Sequence, residues 1–231
     1  GCQIAGPAAA AAAVARDRLR RAVRALQQLR LWRHGGVGLL DGWLRADLPG
    51  RLLVEARGAL AGATRSDVRV SDGEEWRGGE PARRFHSAPG AALQGALYHD
   101  EALLRALRSC VGTPLRPSGS CGTFSYYAHA GDFLALHRDV AECDVAVITC
   151  LYDSAPAGTG GGTLVVYPER AAEPLSAVRA APHRGAAGVR LVPGQSVVLL
   201  GGLVPHAVTP IAPAQQRVIS ALCYQFAPPG R

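Results

Sequence analysis

Lysine and methionine are both missing from this 231-residue chain. Without lysine there is no P-loop, so the glycine run "TGGGTLVVYPE" at 159–169 is no phosphate cradle of that kind. It is expected to form a tight turn. No apolar run approaches ~18 residues, so no transmembrane helix is expected. The cysteines at 2, 110, 121, 143, 150 and 223 contain no Cys-x-x-Cys pair, which argues against structural zinc. In a cytoplasmic protein they are expected to be free thiols, mostly buried, with Cys143 and Cys150 in the core. The alanine run at 8–13 has no charged stretch before it and reads poorly as a secretory signal. Aromatic residues are scarce, and no stretch interleaves them with basic ones as a single-strand nucleic-acid surface would. The net charge of +7 therefore carries little functional weight. All of its basic residues are arginine, scattered except at 15–33, as the codon bias of a GC-rich genome would impose.

What is present is enough for one sizeable core: 48% of the residues are hydrophobic. The reading is a single domain over 1–231, with a helical and loop support region at 1–119 and a β-rich core at 120–227. Residues 8–32 read as a helix, because Ala15, Leu19, Val23, Leu26 and Leu29 recur at helical spacing. Residues 35–50 are a short amphipathic segment between breaks, and 51–61 an apolar segment of open type. The polar, turn-rich stretch 71–91 reads as a functional or mobile loop over the site, with Arg77, Arg83 and Arg84 available to an acidic group. Residues 100–112 form a helix capped by Asp100 and stopped by Gly112. Beyond 120, short β-rich runs separated by Gly, Pro and Asp have the spacing of a sandwich, barrel or jelly roll.

The chemistry centres on "GDFLALHRDV" at 131–140. In a strand, His137 and Asp139 share a face, and two polar groups on a half-buried face cost free energy unless something satisfies them. His206 follows a distant apolar strand. Two imidazoles and one carboxylate make the 2-His-1-carboxylate set that suits Fe(II) and leaves one side of the metal open. Arg217 begins a strand eleven residues after His206, and a guanidinium directed into a barrel needs an anion, which its fork fits in bidentate geometry. A plain structural ion pair is the alternative for Arg217. His129 reads as a rim or substrate-contact residue.

Together "YYAHAGDFLALHRD", "GGTLVVYPE" and "VPGQSVVLLGGLVPHAVTPIAPAQQRVISALCYQF" resemble the Fe(II)/2-oxoglutarate-dependent dioxygenase superfamily, in its prolyl-4-hydroxylase-like branch. The resemblance covers 120–227. It implies a double-stranded β-helix (jelly-roll, cupin-like) core with flanking helices. It implies that His137, Asp139 and His206 bind iron and that Arg217 pairs with the distal carboxylate of 2-oxoglutarate. The resemblance further implies that Tyr126, with Tyr127 as the alternative, binds that carboxylate, and Thr149 is expected to reach the cosubstrate. With O2, the keto acid would leave as succinate and CO2 while a C–H bond of an amino acid, peptide or small metabolite is hydroxylated. One departure stands out: many members carry Ser two residues after the Arg, where this chain has Ile219, with Ser220 facing the other way. The presence of Asp139 argues against halogenation. A nucleic-acid demethylase is the second enzyme reading, against which stands Cys223 at the place of a second Arg. A cupin-like ligand-binding protein without catalysis is the third.

Overall fold

The computed structural model describes residues 29–40, 42–72, 75–119, 122–156 and 158–227. The helix expected over 8–32 lies almost wholly outside them; its end is a short 3-10 turn, Leu31–His34. The described strands are β1 (Val37–Leu39), β2 (Thr64–Val68), β3 (Arg83–Pro89), β4 (Leu115–Pro117), β5 (Thr123–Tyr127), β6 (Phe133–His137), β7 (Val145–Asp153), β8 (Leu164–Val166), β9 (Ala187–Val189), β10 (Ser196–Leu199), β11 (His206–Val208) and β12 (Arg217–Phe226). The described α-helices are α1 (Leu48–Ala59), α2 (Ala92–Tyr98), α3 (Glu101–Val111) and α4 (Leu175–Ala180).

The strands pair antiparallel in the order β1-β10-β7-β12-β5-β3-β6-β11-β8-β9, with β2 on β3 and β4 on β12. The ribbon folds back on itself: β5, β7 and β12 face β6, β8 and β11 across one cavity. This is the expected jelly roll with flanking helices. β12 shows why such strands read as continuous apolar runs. Arg217, Ile219, Ala221 and Cys223 point into the cavity. Ser220, Leu222 and Tyr224, at alternating positions, are buried on the other face.

The segment 51–61 resolves into the rest of α1 and a 3-10 turn. Leu52 and Ala56, one turn apart, are fully buried against Phe124, Tyr126 and Leu151 on the outer face of the sheet. α3 has the expected ends. Asp100 accepts from the Leu103 N–H at 2.7 Å, and Gly112 closes the helix at φ 86°. The stretch 71–91 is not one loop. Its second half is β3, which pairs with β2, β5 and β6. Phe85 and Ala88 are its only buried apolar residues, too few to print an alternation, and the neighbouring strands supply the rest.

Cys143 corrects the free-thiol expectation. It forms a disulfide with Cys223, 80 residues away, across a Cα–Cα distance of 4.9 Å, whereas Cys110 and Cys150 are free. The bond ties the segment after β6 to β12. Closing a loop of this length restricts the unfolded chain, so Cys143→Ser with Cys223→Ser is expected to lower stability by about 2–4 kcal/mol. Urea melts of the double variant, beside wild type with and without reductant, measure this. Coincident wild-type melts would show that the bond adds no stability.

Candidate active site

His137 is the last residue of β6 and His206 the first of β11, directly opposite it in the ladder. The side-by-side register places the two rings 4.2 Å apart. The chain leaves the sheet after His137, so a shared strand face does not bring Asp139 to them. The Asp139 N–H instead donates to Gly201 O at 2.9 Å, which turns the carboxylate back over the imidazoles. Asp139 Oδ1 lies 3.4 Å from His137 Nε2 and 3.5 Å from His206 Nε2. One ligand atom from each residue falls within 4.8 Å of the others, the spacing a single ion needs.

Both rings are held from behind. His137 Nδ1 donates to Ala135 O at 2.8 Å, and His206 Nδ1 donates to Val204 O at 2.9 Å. Each bond leaves Nε2 as the free position and fixes the ring plane. Burial pushes the Asp139 carboxyl up, but the His206 and His137 imidazoles outweigh it and hold the group well below the usual carboxylate range. Burial opposes charge on His206 in turn, yet Asp139 leaves its pKa raised. The three residues thus form a preorganised donor set of one carboxylate and two imidazoles.

Gly201 is part of this site and carried no signal beyond a Gly-Gly pair at a strand end. A Cβ there would lie 1.8 Å from Asp139 Oδ2. Only glycine leaves room for the carboxylate.

The cavity beyond the triad has a volume of about 130 Å³ and walls that include Leu134, Ile148, Leu164 and Ile219. Its lining is apolar apart from the triad, Ser125, Tyr127 and Arg217. Arg217 is 3% exposed and enters an ion-pair cluster: Nη1 donates to Asp153 Oδ2 and, at 3.1 Å, to Leu191 O. Asp153 Oδ2 also accepts from Arg190 at 2.5 Å, while Gln215 Nε2 donates to its Oδ1 at 2.9 Å. Two guanidiniums on one carboxylate leave the cluster with one net positive charge. Both protein bonds of Arg217 come from Nη1, so the rest of its fork is open to the cavity. Gly162, at φ 78°, explains the glycine turn: a Cβ there would lie 2.8 Å from Arg217 Cδ.

The other expected site residues separate. Tyr127 lies opposite Arg217 in the ladder and lines the cavity. Burial pushes its phenol far up, so it remains a donor. Tyr126 faces outward, where its hydroxyl donates to Ala56 O at 2.6 Å beneath α1. The one-residue register along β5 sets this order, reversing the placement of Tyr126 ahead of Tyr127. Thr149 also corrects to the outer face, where it shares a 2.8 Å hydrogen bond with Ser196. Ile219 lines the cavity, and Ser220 turns away to accept from Gln94 at 2.7 Å. His129 is exposed at the surface and accepts from Arg65 at 3.1 Å. The three loop arginines are engaged within the protein. Arg77 bonds backbone carbonyls at 139–141, Arg83 bonds Glu80, and Arg84 bonds Gly131 O. Asp153, Arg190, Gln215 and Gly201 carried no signal in the sequence that marked them as part of the site.

No protein-family model and no curated protein matches the sequence. Solved structures do match the fold. The epimerase SnoN from nogalamycin biosynthesis, described as non-heme and alpha-ketoglutarate dependent, superposes with a TM-score of 0.60 at 17% identity. That match covers 88% of this chain and 82% of SnoN. A prolyl-4-hydroxylase from Pseudomonas putida gives 0.52 at 20% identity, over 91% of this chain and 100% of the other. AviO1 from Streptomyces viridochromogenes gives 0.58 at 21% identity, over 85% and 93%. The chain therefore shares the fold of these structures.

Proposed function

We propose that the protein is an Fe(II)- and 2-oxoglutarate-dependent oxygenase that hydroxylates a C–H bond of an amino acid, peptide or small metabolite. The observation that carries this reading is the meeting of the triad and Arg217 in one cavity. His137, Asp139 and His206 would hold Fe(II) through Nε2, a carboxylate oxygen and Nε2. Iron held there would supply O2 activation, with 2-oxoglutarate as the co-reductant that is oxidised to succinate and CO2. Arg217 and the Tyr127 hydroxyl would bind the distal carboxylate, Arg217 through the donors that Asp153 does not occupy. The single net positive charge of the Arg190–Asp153–Arg217 cluster matches one carboxylate. The apolar walls exclude water from that contact and strengthen it.

At about 130 Å³ the cavity is small beside the ~300–1,000 Å³ of sites that enclose drug-sized ligands. It suits a short keto acid, and a larger substrate would present one group from outside. A nucleic-acid substrate is disfavoured because Cys223 stands at the position of the second arginine and is tied up with Cys143. Among the described residues no helix is long and apolar enough to cross a membrane.

The test is a visible spectrum under nitrogen, adding Fe(II) and then 2-oxoglutarate to metal-free protein. A charge-transfer band that requires both additions is the expected result, and succinate release with candidate substrates follows from it. Iron binding without the band would point to an oxygenase that does not use the keto acid. No iron binding would leave the cupin-like binding protein.

A further inference from the structure

The metal set is carried by two strands and one arm, and the arm is the less supported part. Asp139 lies beyond the end of β6, on a segment without ladder partners. The structure assigns its placement to a reciprocal clasp between residues 76–77 and 138–141, with Arg77 as a positioning residue for Asp139. This inference rests on the metal-site reading above.

Arg77 comes from the segment between β2 and β3. Its Nε donates to Asp139 O at 3.1 Å and Val140 O at 3.2 Å, and its Nη2 donates to Val140 O at 2.7 Å and Ala141 O at 3.2 Å. Its Nη1 donates to Asp144 Oδ1 at 2.8 Å. One guanidinium thus spans the arm from the carboxylate ligand to the residue beside Cys143. In the opposite direction Arg138 Nη1 donates to Trp76 O at 2.9 Å, and Arg138 Nε donates to Leu203 O at 2.8 Å, three residues before His206. Each segment therefore holds the other, and Arg138 links both to the turn that leads into His206. A Cβ on Gly202 would lie 2.6 Å from the Arg77 guanidinium carbon, so the glycine pair serves both contacts: Gly201 makes room for the ligand and Gly202 for its support.

Arg138 is 1% exposed, and removing it would strand four carbonyls. Arg77 is 27% exposed by side chain, so Arg77→Gln can fold with water replacing some of its bonds. The arm would then sample positions in which the carboxylate no longer meets the imidazoles. Groups that orient a ligand typically contribute about 10–100-fold in metal affinity.

The experiment titrates Co(II) into metal-free wild type, Arg77→Gln, Arg77→Lys and Gly202→Ala. It reads the dissociation constant and the visible d–d spectrum, with urea melts fixing the folded fraction. Arg77→Gln is expected to weaken Co(II) by about 10–100-fold and to change the spectrum while folded. Lysine is expected to restore little, because an ammonium cannot span the carbonyls as a planar fork does. Gly202→Ala reaches the same contact with the arginine still in the chain, and the same loss is expected should Arg77→Gln not fold. Unchanged affinity and spectrum in a folded variant, with wild type binding normally, would overturn the clasp and leave the metal site standing. Wild type that binds no Co(II) would overturn both.

Discussion

Gly201→Ala is expected to abolish metal binding as fully as Asp139→Ala, although it adds only one methyl group. The Gly201 backbone is fixed because its carbonyl accepts from the Asp139 N–H. The new Cβ would lie 1.8 Å from Oδ2 and 2.8 Å from Cγ of Asp139, so the carboxylate must rotate away from His137 and His206. Two imidazoles then remain, and a divalent ion loses its anionic ligand. Asp139→Ala, His137→Ala and His206→Ala should each fold and each lose turnover. Isothermal titration with Mn(II), together with succinate release, would measure these losses. A Gly201→Ala protein that binds metal and turns over like wild type would mean that Asp139 is not a ligand in the geometry described. Retained turnover in His137→Ala or Asp139→Ala would remove the triad from the mechanism.

Arg217→Gln is expected to raise the KM for 2-oxoglutarate by roughly 10- to 150-fold while the KM for the substrate stays nearly constant. The figure corresponds to losing one charged hydrogen-bonding contact, roughly 1.5–3 kcal/mol. Burying the glutamine need not unfold the protein, because Asp153 keeps its ion pair with Arg190 and its bond from Gln215. Leaving a buried carboxylate with no cation would cost more. The ion pair with Asp153 makes a purely structural role the natural competitor for Arg217. Steady-state kinetics in each ligand separate the two. A structural role predicts a lower melting temperature with both KM values moving together. A cosubstrate anchor predicts a shift in one of them.

Much of the site was legible in the sequence because it depends on residue type and, along β12, on strand period, although the strand face read for His137 and Asp139 does not hold because β6 ends at His137. A carboxylate two residues from a histidine, a second histidine before a β-run, and an arginine heading an apolar strand are local patterns. Their chemistry limits what they can do. The period of two also settled that Ser220 would turn away from Ile219. The same rule was ambiguous by one residue on β5, where Tyr126 and Tyr127 are equivalent until a partner is known. Only the pairing of Arg217 with Tyr127, and the packing of Tyr126 under α1, separated them.

The sequence by itself determined a β-rich core, the capped α3 and the set of groups that can bind a metal, because those follow from hydrophobic period, turn residues and side-chain chemistry; the choice of jelly roll over sandwich or barrel came from the family resemblance. The tertiary structure alone decided four things: the strand at Arg83–Pro89, the Cys143–Cys223 bond, the cluster of Arg217 with Asp153 and Arg190, and the close approach of Gly201 to Asp139. Each joins residues distant along the chain. Such contacts arise from sheet register and loop path, which leave no local period to read.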